Sequence, residues 1–284
     1  MVRTAQIQPQ PAQRVTWIDA ERRRAPVLAL ALACAAGVFL LVRSWMFPQP
    51  QWNTYKTGRG ALQSVSLADG SLVTLNTDSE LLVQVSHDNR TVRLVRGEAR
   101  FEVTHDQRHP FAVSAGNVVV RDIGTAFVVR IRSDQDVEIL VQDGQVAVDR
   151  AVGPEGGKPV SAKPNDGKLK FIAAVTAGFA LEMKSDAQTL NSLSRDELSR
   201  RLAWMNGRIE FGGESLAAGV AEFNRYNRVQ LAIADPDIEP VRLGGGFDAS
   251  NPQSFVRALE RTYDLEAAPA ADGSDVIWLR KRRR

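Results

Sequence analysis

His105 and His109 stand four residues apart, a spacing that on a helix would turn two imidazoles to one face and begin a metal site. Between them run Asp106, Gln107 and Arg108, and Pro110 follows, which is the composition of a turn and not of a helix. The third histidine, His87, lies well upstream, so no metal is expected. Cys34 is the only cysteine and falls inside an apolar run, so the body carries no disulfide and no thiol chemistry. Asp69, Asp88, Asp134 and Asp136 have the setting of solvated turn acids, and no pair of carboxylates stands out as an acid and base. The chain has no G-x-S-x-G elbow, no P-loop and no Rossmann glycine pattern. Gly244-Gly245-Gly246 sits inside an alternating stretch, where glycine marks a bulge or a close backbone approach. Asn89-Arg90-Thr91 fits a glycosylation sequon, as many loops do by chance. These residues predict no enzyme acting on an external substrate and no cofactor.

The elements that would carry any site fall into two blocks. From 57 to 150, Val, Leu, Ile and Phe alternate with polar residues in short runs. Asp69-Gly70, Arg96-Gly97-Glu98 and Asp143-Gly144 punctuate those runs as turns. The expectation is an all-β domain, sandwich- or solenoid-like. Residues 151–206 read as a linker with extra strands and a short helix opened by a capping box, Ser194-Arg195-Asp196-Glu197. From 207 to 280 the pattern changes to β-α-β-β-α-β-β, a small α+β domain. One helix face carries Leu216, Val220 and Phe223, the other Phe255, Leu259 and Tyr263.

A third feature lies ahead of both blocks. Residues 26–47 are apolar almost throughout, and Arg22-Arg23-Arg24 precede them. At roughly 1.5 Å per residue this run matches a hydrocarbon core of about 30 Å, so a single transmembrane helix is expected. Its basic 25-residue head is placed in the cytoplasm and the body outside. A cleaved signal peptide, a lipid anchor at Cys34 and a buried core helix are the competing readings. The formal charge is only +3, and the tail Arg280-Lys281-Arg282-Arg283-Arg284 more than accounts for it. A general nucleic-acid partner is therefore not expected. Residues 281–284 read as a solvated basic tail, or as a contact for acidic lipid headgroups.

Several stretches resemble the FecR-type regulator family: Ser64–Thr77, Val92–Val103, His109–Val113, Ile123–Val129 and Val137–Val148. Leu202–Phe211, Phe223-Asn224-Arg225-Tyr226-Asn227 and Ala234-Asp235-Pro236 resemble the small domain shared by secretins and the N-termini of TonB-dependent transducers. The resemblance implies a single-pass regulator in a bacterial inner membrane with its body in the periplasm. It would relay a signal from a TonB-dependent outer-membrane transducer, often one loaded with an iron-siderophore, to an extracytoplasmic-function sigma factor, with proteases releasing that factor. The head is far shorter than the folded sigma-binding domain such regulators usually carry. Sigma contact is then expected through a short segment that orders on binding, unless the start lies elsewhere or direct sigma control has been lost. The alternative function is an envelope assembly protein that uses its C-terminal domain as an interaction module.

The resemblance also singles out Gly124 and Thr125, since family members are thought to cut themselves at a Gly-Thr bond in this motif. In that reaction the threonine hydroxyl attacks the preceding carbonyl. Glycine tolerates the strained backbone and threonine supplies the nucleophile. The alternative is a bulge glycine followed by an ordinary strand threonine.

Overall fold

The computed structural model describes residues 37–39, 52–86, 90–133, 136–151, 169–184 and 187–282. The 1–25 head and all of the 26–47 run except 37–39 lie outside these residues, as do His87, Asp88, Asn89 and Asp134. Among the described residues no helix is long and apolar enough to cross a membrane. The strands and helices that follow belong to the unit that begins at Trp52.

Alternating apolar residues generate strands because period-two side chains can share one buried face. Thirteen form in succession: β1 (Asn53–Lys56), β2 (Gln63–Ser66), β3 (Leu72–Leu75), β4 (Glu80–Val85), β5 (Arg90–Glu102), β6 (Phe111–Ala115) and β7 (Val118–Asp122), then β8 (Ala126–Ser133), β9 (Asp136–Asp143), β10 (Gln145–Ala151), β11 (Leu169–Thr176), β12 (Phe179–Lys184) and β13 (Ala187–Ser192). They make one curled sheet whose two halves share β5. The first half of β5 joins the order β1-β4-β5-β6-β7-β10-β11, and its second half joins β2-β3-β5-β8-β9-β12-β13. All these pairings are antiparallel except β5 with β6.

Gly97 makes this sharing possible. Its φ is +85°, and a Cβ there would sit 2.7 Å from the Ser79 Cα. Ser79 Oγ accepts the Glu98 N–H at 2.9 Å and so holds the bend. The sequence reading placed a turn between two strands at Arg96-Gly97-Glu98. The structure instead bends one thirteen-residue strand there, because pairing continues on both sides of the glycine. Between the two halves lies an apolar core that includes Phe101, Phe111 and Phe127, all fully buried. Phe101 and Phe127 are stacked with centroids 5.2 Å apart.

Two further expectations change here. The β fold starts at Asn53, and three strands within the 151–206 stretch belong to it: β11 pairs β10, β12 pairs β9, and β13 closes an edge. Asp69 is not a solvated turn acid. It accepts from the buried Arg90 Nε at 2.7 Å, and Arg90 also donates to the Thr104 and His109 carbonyls.

The capping box opens α1 (Arg195–Leu202), where Ser194 Oγ accepts the Glu197 N–H at 3.2 Å. A 3-10 turn, Ala203–Asn206, follows, and Gly207 ends it at φ +69°. Leu198 and Leu202 of α1 pack on Val128, Leu140 and Ala180, covering the outer face of β8, β9 and β12. The rest follows the expected order: β14 (Arg208–Ser215), α2 (Leu216–Tyr226), β15 (Gln230–Ile233), β16 (Arg242–Asp248), α3 (Pro252–Thr262), β17 (Leu265–Pro269) and β18 (Val276–Lys281). β14 pairs β16, while β18 lies between β15, to which it is parallel, and β17. Phe211, Phe223, Phe247 and Phe255 gather in its core, with Phe223 and Phe255 stacked at 4.2 Å. The basic tail begins inside this fold: Arg280 and Lys281 are in β18, and the Arg282 N–H donates to the Asp264 carbonyl at 3.0 Å.

Candidate functional site: the Gly124–Thr125 turn and the charged junction

β7 ends at Asp122 and β8 begins at Ala126, so Gly124 and Thr125 form the passage between the two halves of the sheet. The buried Asp122 carboxylate organises this passage. Oδ1 accepts the Gly124 N–H at 3.1 Å and Oδ2 the Thr125 N–H at 3.2 Å, a local side-chain to backbone motif typical of aspartate. The chain is also pinned to the loop after β5, because the Ile123 carbonyl accepts from Asp106 N and the Thr125 carbonyl from Val103 N.

Gly124 has φ +144°, and a Cβ on it would lie 2.8 Å from the His105 Cα and 2.6 Å from its Nδ1. No other residue fits there without moving His105. The Thr125 methyl is enclosed from the far side, since a Cβ on Gly144 would come 2.5 Å from Thr125 Cγ2. Thr125 is buried, and its Oγ1 has no hydrogen-bond partner. An unsatisfied buried hydroxyl costs about 1–3 kcal/mol. An ordinary strand threonine recovers that energy through a nearby carbonyl or water, so the orphaned hydroxyl next to the Gly124 carbonyl calls for a role. Of the other two described candidates, His109 Nδ1 bonds Asp106 Oδ2 at 2.9 Å, and that hydrogen bond holds the Asp106 carboxyl down at about 2. The His105 ring lies against Gly124.

The second feature joins residues far apart in the chain. The C-terminal end of α2 lies against β5 and β8. Arg225 donates to Glu98 at 2.9 Å and to Glu222 at 2.6 Å, and Arg130 donates to Glu222 at 2.7 Å. Asn76 Nδ2 bridges the Glu98 carboxylate and the Tyr226 hydroxyl, at 2.9 and 2.8 Å. Thr77 Oγ1 donates to the Arg225 carbonyl at 3.0 Å. Gly60 lets the backbone come close, since a Cβ on it would meet the Tyr226 carbonyl oxygen at 2.8 Å. Burial opposes charge on Glu222, yet Arg130 and Arg225 outweigh it and hold its carboxyl below the usual value. Burial likewise opposes charge on Arg225, and Glu222 and Glu98 override it and raise its pKa. Burial, with Glu222 and Glu98 beside it, pushes the Tyr226 hydroxyl up. None of these charges carried a signal in the sequence, because each looks like an ordinary surface residue until the fold brings them together.

Residues 53–147 match the family described as FecR protein. No curated protein matches the chain. Two crystal structures of a candidate anti-sigma factor from Parabacteroides distasonis ATCC 8503, at 2.50 and 1.65 Å resolution, share the fold. Each has a TM-score of 0.63 at 18% identity, and the likeness covers 100% of that chain and 82% or 81% of this one. Such coverage is far more than residues 53–147 supply, so the shared architecture extends through the later strands and into the α+β module. Over residues 53–147, which take in strands β1 to β9 and the start of β10, the chain is thus similar to the FecR protein family.

Proposed function

We propose that the protein is a membrane-anchored signalling regulator of a sigma factor. The observation that carries this is the FecR-family match over residues 53–147, continued by an α+β module in a fold shared with a candidate anti-sigma factor. The apolar 26–47 run is read as an inner-membrane anchor, with the basic head in the cytoplasm and the body in the periplasm. The module has the β-α-β-β-α-β-β order expected of the small domain of TonB-dependent transducers, and among the described residues its strands β14, β15, β16 and β17 each pair on one side only. Those edges suit docking of a transducer by strand addition, with an iron-siderophore as the signal class.

The test is to purify the full-length protein, tagged at its C-terminus, from its own cells and identify bound proteins by mass spectrometry. A sigma factor together with a TonB-dependent transducer is expected. A transducer alone, or only envelope assembly proteins, would remove sigma control from the reading.

Processing at Gly124–Thr125 is part of the proposal. Thr125 Oγ1 attacks the Gly124 carbonyl carbon, the C–O bond forms and the C–N bond breaks. The hydroxyl proton passes to the departing nitrogen. Water then hydrolyses the ester, leaving a Gly124 carboxylate, a free Thr125 amine and the restored hydroxyl. Asp122 already accepts the N–H of the nitrogen that becomes the amine, so its carboxylate stabilises the positive charge that develops there. Thr125→Ala is expected to leave one intact band where the parent gives two, and Thr125→Ser to retain cleavage. Two fragments from Thr125→Ala on a denaturing gel would end the self-cleavage reading.

A further inference from the structure

A cavity of about 600 Å³ opens between the outer face of β8 and β9, helix α1 with its 3-10 turn, β14 and α2. Its volume is that of a small-molecule site. The floor is apolar, with Val128, Leu140, Trp204 and Phe211 among its residues, and the walls carry arginines and glutamates. Almost all of those charges are already spoken for. Arg130, Arg132, Arg201, Arg208 and Arg225 each have a glutamate partner. Glu214 turns its carboxylate onto the Gly212 N–H.

Two donors are left over. Among the described residues Arg200 is the one arginine of the cavity without an ion pair, and its buried Nε has no hydrogen-bond partner. Trp204 is 5% exposed, lines the same cavity, and its Nε1–H also has no partner. The two are four residues apart where α1 runs into its 3-10 turn, and both line the cavity. Arg200 is held in place by a glycine: a Cβ on Gly212 would come 2.4 Å from its Cζ, so the guanidinium lies directly on the β14 backbone. A fixed guanidinium and a buried indole N–H, both without acceptors, stand beside an apolar floor. That combination is complementary to one compact negative group on a hydrophobic body.

We infer that this cavity binds a small organic carboxylate, with the carboxylate on Arg200 and Trp204 Nε1 and the apolar part on the Val128–Leu140 floor. A ligand seated there touches both the curled sheet and the α+β module, so occupancy ties the two together and stabilises the folded state by mass action.

The test uses the full-length chain, titrated calorimetrically with phenylacetate and with its neutral counterpart 2-phenylethanol, while tryptophan emission is followed. Saturable binding of phenylacetate is expected, with the alcohol at least about tenfold weaker, as the loss of one charge-assisted hydrogen bond implies. Arg200→Met should weaken phenylacetate about tenfold or more without changing the circular dichroism spectrum. Trp204→Phe should remove the emission change while leaving weakened binding detectable by heat. Absence of saturable binding to the parent chain, equal affinity for the alcohol, or unchanged affinity in Arg200→Met would each overturn the inference. None of these readouts depends on a sigma factor, a transducer or cleavage.

Discussion

Glu98→Ala is expected to destabilise the body by about 2–3 kcal/mol, because it removes the shared acceptor at the centre of a buried charge network. The Glu98 side chain is only 6% exposed. Its carboxylate is the shared acceptor for Arg225 and for Asn76, which is itself fully buried and also donates to Tyr226. Alanine takes one of two acidic partners from the Arg225 guanidinium and one of two acceptors from the Asn76 amide, whereas Glu98→Gln keeps the shape and one acceptor and should cost less. Urea unfolding of the two variants beside the parent measures this. A loss below about 1 kcal/mol for the alanine variant would place the pair among ordinary surface ion pairs.

The same network makes the fold acid-labile in a defined direction. Glu222 has its folded pKa below the unfolded value of 4.5. Its contribution is therefore fully present above that value and is lost as the pH falls through the lower, folded one. In Glu222→Gln the stability difference from the parent should shrink on acidification below pH 4.5.

Phe127→Ala should cost more, about 3–5 kcal/mol, for a different reason. Phe127 is fully buried, stacks on Phe101, and lies two residues beyond Thr125. Its ring holds the start of β8 in the core, so its loss empties a cavity and also slackens the passage that presents Thr125. Thermal unfolding is expected to show a large fall in midpoint, and the fraction of chain cleaved should fall with it. A variant of near-parental stability would mean that the core collapses around the gap, contrary to the dense packing of the three phenylalanines.

Much of this architecture was legible from residue order, and the failures have physical causes. Alternation exposed the β block, and the Ser194 cap marked a true helix start, because these signals are local. Gly97 misled because the same positive φ serves a turn between strands or a bend within one, and only Ser79, brought near by pairing, distinguishes them. The parallel contact of β5 with β6 leaves no local trace. Gly124 and Thr125 stood out only through family likeness, while the acceptor that frames them, Asp122, looked like any other strand-end acid. The junction was invisible for a related reason. Glu98 and Arg225 are 127 residues apart, and a charge declares itself buried only once the fold covers it.

The placement of Gly124–Thr125 has a mechanical consequence. A chain severed there would not come apart. β8 on the later piece stays laddered to β5 on the earlier one, and β10 to β7, with Phe127 still stacked on Phe101. The scission replaces a covalent tether with interleaved strands, which withstand thermal agitation but part under a steady pull. A nicked protein of this kind behaves as a clasp: closed at rest, opened by tension applied to one end, and unable to relock once its two pieces have been drawn apart.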